Sequence, residues 1–301
     1  MTGRCASSRR SGPSEMRILV VGAAGRLGSA VVRQFAGWAE VTGTVREDLD
    51  VCDRRAALDR VAGLRPAAIV NCAAYNDVDG AEDEPVEALN VNAFAVRNLA
   101  EAARSVGAAL VHYSTDFVFD GAGDRPYTEE DPPNPRSTYA CSKLLGEWLA
   151  RGALRHYVLR VESLFGSSAG PDRPTSVDRI VEAILARREV RVFADRTVSP
   201  SYNDDVAWAT RVLLESGAAS GLYHCVNSGW CTWEGLALEV GRQLGVEPRL
   251  VPVRMADVTM RASRPLYCAL ANARLAAAGA VMPAWQDALA RHLAGRRTVT
   301  G

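Results

Sequence analysis

The 301-residue chain balances 35 Lys and Arg against 35 Asp and Glu, so it has no net field to attract nucleic acid or an anionic membrane surface. No apolar run reaches the roughly 20 residues needed to span a bilayer, and the first fifteen residues lack the apolar stretch of a secretory signal, which predicts a cytoplasmic protein. Seven cysteines without a C-x-x-C pair argue against a disulfide framework or a zinc site, and predict reduced, mostly buried thiols. No His/Cys/Asp/Glu cluster has ligand spacing, so no metal ligands are assigned and a metal requirement is left open.

The first fifteen residues set Arg4, Arg9 and Arg10 among Ser and Gly without periodicity and read as a disordered arm, with Met16 as an alternative start. From Met16 short β-branched runs alternate with longer amphipathic, alanine-rich segments. Strands are expected at Arg17–Val21, Val41–Val45, Ala68–Asn71, Ala109–Tyr113 and Tyr157–Val161. Helices are expected between them at Arg26–Ala36, Arg54–Gly63, Pro85–Val106 and Ser137–Arg151. This alternation predicts an α/β fold, a Rossmann-type doubly wound parallel sheet with helices on both faces. The Ser-, Gly- and Pro-rich stretch Ser167–Pro174 reads as a loop leading to a helix near Val177–Arg187. Leu222–Val226 reads as a strand returning to the main sheet. The expected organisation is a dinucleotide-binding domain over 16–165 plus that strand. The stretches 166–220 and 228–301 would form mainly a smaller, discontinuous substrate-binding domain.

The first strand–helix junction carries Gly22, Gly25 and Gly28, with Arg26 and Leu27 in the same turn. In such a turn the first glycine permits the bend, the second lets backbone N–H groups approach a pyrophosphate, and the third lets helix pack on strand. The helix N-terminus adds the positive end of its dipole. These residues predict a dinucleotide cofactor. The second strand ends at Arg46, a cation suited to the extra phosphate of NADPH, so NADPH is favoured over NADH. Glu47, Asp48 and Asp50 follow closely, and a shift of one residue would reverse the preference.

Tyr139 and Lys143, four apart on a helix, share one face. A lysine beside a phenol, helped by a cationic nicotinamide, could bring a tyrosine from about 10 toward ~7 and make it a proton donor at neutral pH. Twenty-four residues before Tyr139, a strand ends in Ser114 and Thr115, at the carboxyl edge where doubly wound sheets bind ligands.

Together the glycine triplet, Ser114-Thr-Asp-Phe-Val-Phe-Asp-Gly121 and Tyr139-x-x-x-Lys143 resemble the extended short-chain dehydrogenase/reductase superfamily. Asn71-Cys-Ala-Ala-Tyr-Asn-Asp-Val-Asp-Gly-Ala-Glu82, Gly221-Leu-Tyr-His224 and Ala262-Ser-Arg-Pro265 resemble the dTDP-4-dehydrorhamnose reductase family, from about Met16 to His292. The resemblance implies a catalytic set of Thr115, Tyr139 and Lys143, and cofactor contacts from Ala73, Ala74 and Tyr75. It places Asn92 behind the active site and Ser114, Thr115, Asp116 and Ser163 on the substrate side. It also implies a nucleotide-linked 4-keto-6-deoxysugar as substrate, with Tyr139 protonating the alkoxide formed by hydride transfer, and a homodimer joined through helices flanking the sheet.

Departures cluster on the substrate side. Related 4,6-dehydratases carry a glutamate after the Thr-Asp pair, where this chain has Phe117, a ring that cannot act as a base. The family's Arg-Thr-Ser-Trp run reads Arg160-Val-Glu-Ser163, which removes an apolar platform and adds Glu162. Its Asp-Gln-x-Gly-x-Pro-Thr run reads Asp195-Arg-Thr-Val-Ser-Pro-Ser201, and Leu266-Tyr267 follow Arg-Pro. A sugar-nucleotide epimerase and a non-catalytic regulator resembling the regulatory subunit of methionine adenosyltransferase are the competing readings, and intact Tyr139 and Lys143 weigh against the second.

Overall fold

The computed structural model describes residues 16–167 and 174–299. The expected N-terminal arm and most of the Ser167–Pro174 loop lie outside them. The first half builds β1 (Arg17–Val21), α1 (Arg26–Phe35), β2 (Glu40–Thr44), α2 (Arg54–Leu64), β3 (Ala68–Asn71), two short helices α3 (Gly80–Asp83) and α4 (Pro85–Leu89), and α5 (Ala95–Val106). It continues through β4 (Ala109–Thr115), α6 (Thr138–Ala150) and β5 (Arg155–Val161). Beyond it come β6 (Leu164–Phe165), α7 (Ser176–Leu185), β7 (Glu189–Phe193), β8 (Thr197–Val198), β9 (Ser201–Tyr202) and α8 (Asn203–Ser216). The chain then forms β10 (Gly221–His224), β11 (Cys231–Thr232), α9 (Trp233–Leu244), β12 (Arg249–Val253), α10 (Ala273–Ala277) and α11 (Trp285–Val299).

Six parallel strands form the main sheet in the order β2-β1-β3-β4-β5-β10. Strand β1 shows why both faces are covered. Ile18 and Val20 enter one apolar cluster, with Val31 and Phe35 of α1, while Leu19 and Val21 enter another, with Val61 of α2 and Leu99 of α5. Alternate side chains of a strand point to opposite faces, so a strand without polar alternation needs a helix layer on each side. Helix α8 joins the first of these clusters through Val206, Ala209 and Leu213, although sequence assigns its stretch mainly to the substrate side. Strand β10 returns to the sheet beside β5, as expected from the apolar run at Leu222.

A third cluster gathers α7, α9 and α11 around Phe165, Ile184, Trp233, Leu236, Trp285 and Leu289. Its small sheets are pairs, β7 with β12 and β6 with β9 in parallel, and β8 with β11 antiparallel. The expected single helix over Pro85–Val106 is interrupted by a π-helical turn at Asn90–Phe94, which buries Asn92 completely. Such a turn inserts an extra residue and re-aims a side chain, and it leaves no mark on apolar periodicity. The thiols also depart from expectation. Of the six described cysteines, all free, only Cys225 and Cys268 are buried, and Cys141 is exposed.

Candidate active site

Strand order places the turns after β1, β3, β4 and β5 along one edge of the sheet, their carboxyl ends. A cleft of about 850 Å³ opens there. Its first wall is the glycine turn. Gly22 has φ +73°, and a Cβ on it would lie 2.8 Å from the Ala73 nitrogen. A Cβ on Gly28 would lie 2.1 Å from the Gly22 carbonyl oxygen. Both positions therefore admit only glycine, and the turn holds the N-terminus of α1 against the end of β3. Gly25 is the N-cap of α1, and no acidic residue occupies its first turn. A bare helix N-terminus beside a turn that excludes side chains suits a pyrophosphate. Gly25, Arg26, Leu27, Gly28, Ala73 and Ala74 line the cleft.

Two expected cofactor residues have protein partners in this arrangement. The Arg26 guanidinium reaches across the cleft, donating to the Gly166 carbonyl at 2.6 Å and lying 3.7 Å from Asp178 of α7. Arg46 stands outside the lining, its side chain 72% exposed and 3.9 Å from Glu87. Tyr75 takes part through its backbone. Its N–H donates to Asn92 Oδ1 at 2.9 Å and its carbonyl accepts from Asn92 Nδ2 at 3.0 Å. The same amide donates to Ser142 Oγ at 3.0 Å, and Ser142 donates to the Tyr139 carbonyl at 2.7 Å. The π-helical turn thus presents one buried amide that ties the loop after β3 to the helix carrying Tyr139.

The start of α6 is fixed twice. Ser137 caps it by accepting from the Ala140 N–H, and Glu82 accepts from both the N–H and the hydroxyl of Thr138, each at 2.8 Å. Nearby, Asp79 accepts two bonds from Arg264, at 2.9 and 2.7 Å, and one from the Ala262 N–H at 3.0 Å. The hydrogen-bonded Arg264 holds the Asp79 carboxyl down to about 2. Two motifs far apart in sequence meet in that pair.

Thr115, Tyr139 and Lys143 all line the cleft and are all buried. Burial pushes the Lys143 ammonium down to about 8, against the raising influence of Glu147. Its Nζ donates to the Tyr113 carbonyl at 2.6 Å. The Tyr139 phenol is pushed above its ordinary range by burial and then by the charge of Asp116, with the Thr115 hydroxyl opposing. Lys143 by itself does not lower the phenol here, because its ammonium is engaged by a strand carbonyl and Asp116 lies close to the ring; the expected lowering rests on the lysine and a cationic nicotinamide together. Phe117 packs edge-on against Tyr139, ring centroids 5.7 Å apart, where a dehydratase would present its glutamate.

Ser114 and Thr115 are consecutive at the end of β4, and they divide their tasks. The Ser114 hydroxyl donates to Glu147 at 2.6 Å, within a buried pair in which Arg160 Nε and Nη2 each donate to Glu147 at 2.8 Å. The Thr115 hydroxyl donates to Asp116 at 2.9 Å and accepts from the Phe117 N–H at 3.2 Å. Ser163 lines the cleft at φ +44°, a left-handed conformation that non-glycine residues adopt at a cost of about 1–3 kcal/mol and that clusters at functional sites.

Sequence reasoning missed a cluster opposite Thr115. Asp116, Glu162 and Cys268 bring one donor atom each within 4.8 Å of one another, all buried. Two full charges at that separation repel by about 3 kcal/mol at an effective dielectric of 20. Burial raises both carboxyls, Glu162 the more strongly because Asp116 adds to the effect. These residues come from separate segments, so no local spacing reveals them. A second cleft of about 640 Å³ shares Arg179, Arg196 and Trp233 with the first and adds Arg188, Arg191 and Arg264.

The family model described as RmlD substrate binding domain matches residues 16–297. The chain belongs to the dTDP-4-dehydrorhamnose reductase family. It is 38% identical to a dTDP-4-dehydrorhamnose reductase of Streptomyces griseus over 87% of this chain and 88% of that one. It is 37% identical to a probable dTDP-4,6-dihydroxy-2-methyloxan-3-one 4-ketoreductase of Streptomyces antibioticus, covering 91% and 93%. A solved dTDP-4-dehydrorhamnose reductase of Bacillus anthracis in complex with NADP superposes with a TM-score of 0.87 at 29% identity, covering 93% of this chain and 99% of that one. No described helix is long and apolar enough to cross a membrane.

Proposed function

We propose that this protein is a cytoplasmic reductase that uses NADPH, or less well NADH, to reduce the 4-keto group of a dTDP-linked 6-deoxysugar. The observation that carries the reading is one cleft lined by the glycine turn, Thr115, Tyr139 and Lys143 together. The glycine cradle and the uncapped start of α1 fit a dinucleotide, and that cofactor when bound supplies the hydride. Tyr139 then donates its proton to the nascent alkoxide, Thr115 hydrogen-bonds the same oxygen, and Lys143 holds the nicotinamide ribose while its charge favours the phenolate left behind.

Arg179, Arg188, Arg191 and Arg264 in the adjoining cleft support an anionic nucleotide diphosphate reaching in from that side. The α7–α9–α11 cluster would then be the substrate-binding domain, with Ser163 and Asp116 near the sugar. Dimerisation through helices flanking the sheet is part of this reading, and light scattering on the eluted protein checks it. The principal test follows reduced-nicotinamide fluorescence with a dTDP-4-keto-6-deoxyhexose generated in place. Signal must fall only with enzyme and sugar both present, and cofactor binding without turnover would refute a 4-ketoreductase acting on that sugar.

A further inference from the structure

Strands β4 and β5 run in register with Thr115 opposite Val161, so the next residue on each, Asp116 and Glu162, emerge side by side at the carboxyl edge. Both are almost fully buried. Asp116 spends Oδ1 on the Thr115 hydroxyl, and Glu162 spends Oε2 on the Ser199 N–H at 2.6 Å. Among the described residues, Asp116 Oδ2 and Glu162 Oε1 have no partner in hydrogen-bonding geometry and no exposure to solvent; the Cys268 thiol and the Ser199 hydroxyl lie near the two carboxyls and oppose their rise only in part. An acceptor so placed needs a donor, and a pair of neighbouring carboxyls can supply one by retaining a proton.

Among the described residues, the surroundings provide one cation for two acids. Arg196 faces the pair, but its Nε donates to the Pro265 carbonyl at 3.2 Å and its Nη2 approaches Cys268 Sγ at 3.8 Å, while its guanidinium lies over the Phe117 ring. Cys268 packs against both carboxyls. Tyr139 and Thr115 face Asp116, and Cys231 and Tyr267 lie near Glu162. Lys143 donates to the Tyr113 carbonyl and forms no hydrogen bond or ion pair with the two acids among the described residues.

We propose that Asp116 and Glu162 hold one proton between them, and that Glu162 acts as a positioning residue that keeps Asp116 from bearing a full charge beside Tyr139. The phenol then remains able to donate despite its burial. The shared proton stands on the two orphaned oxygens, and its consequence for Tyr139 rests on the proposed reductase reaction.

Infrared spectroscopy of the full-length protein at neutral pH tests the shared proton without turnover. The wild type should show a protonated-carboxyl C=O band that vanishes on raising pH. The band should be absent in both Glu162→Gln and Asp116→Asn, since each amide donates to the remaining carboxylate and leaves it ionised. A wild type without the band, or a band that survives both substitutions, overturns the proposal. In steady-state assays with NADPH and the dTDP-4-keto-6-deoxyhexose, the alkaline fall of kcat should be steeper in wild type than in E162Q, which has lost one ionisation. Superimposable kcat profiles overturn the role toward Tyr139. Absence of turnover on any keto sugar overturns the reductase reading and that role, while the infrared band still decides the shared proton by itself.

Discussion

Two corners of the cleft are built on different physics. At the β1–α1 turn the constraint is steric: backbone atoms crowd Gly22 and Gly28 until no side chain fits, and the result is a fixed cradle for a ligand of fixed chemistry. At the β4–β5 corner the constraint is electrostatic: Asp116 and Glu162 are buried side by side, and among the described residues one cation, Arg196, faces them. Glycines in a tight turn tolerate no substitution. A charge cluster can be retuned by single residues.

The largest effect should come from Tyr139→Phe. A lost general acid costs about 10²–10⁴ in rate, so kcat should fall by that factor while the dissociation constant for NADPH, read by fluorescence, stays within about twofold. Equal loss in both would mean that Tyr139 holds the cofactor turn rather than the reacting oxygen. Next comes Glu147→Gln, which strands the buried Arg160 without its carboxylate. Breaking such a pair costs about 3–5 kcal/mol, read as a lower denaturation midpoint.

Gly28→Ala sharpens the steric side of the comparison. Overpacking costs about 1–3 kcal/mol, and because the methyl meets backbone, cofactor affinity should fall together with thermal stability. The electrostatic side is sharpened by pH. Burial lowers Lys143 to about 8, so its cation is present below that value and lost as pH rises through it. kcat/KM, which reports the free enzyme, should be level below about pH 8 and fall above it by at least tenfold per unit, and more steeply wherever the Asp116–Glu162 proton is lost in the same range. The smallest effect should follow Arg46→Ser. A side chain so exposed contributes about 0.2–1 kcal/mol, so the preference for NADPH over NADH should change no more than about fivefold in kcat/KM.

The alternation of apolar runs and amphipathic segments determined the parallel sheet, because a strand without polar residues demands a helix layer on each face. The glycine triplet, Tyr139, Lys143 and Thr115 were legible for a related reason: a turn, a helix face and a strand end are local, and their spacing survives in one dimension. The π-helical turn was not legible, since one extra residue inside a helix leaves apolar periodicity almost intact; the place of Asn92 behind the site came from the family resemblance, and its partners Tyr75 and Ser142 from the fold. Ser114 and Arg26 were assigned to ligands by position, while their partners, Glu147 and the Gly166 carbonyl, were brought to them by the fold. Only tertiary structure could set Glu162 beside Asp116, because the register between β4 and β5 places them there and Arg196 and Cys268 arrive from distant segments. Sequence thus determined which chemistry the chain carries. The charge environment in which Tyr139 works was decided by burial and by side chains that meet only when the sheet is assembled.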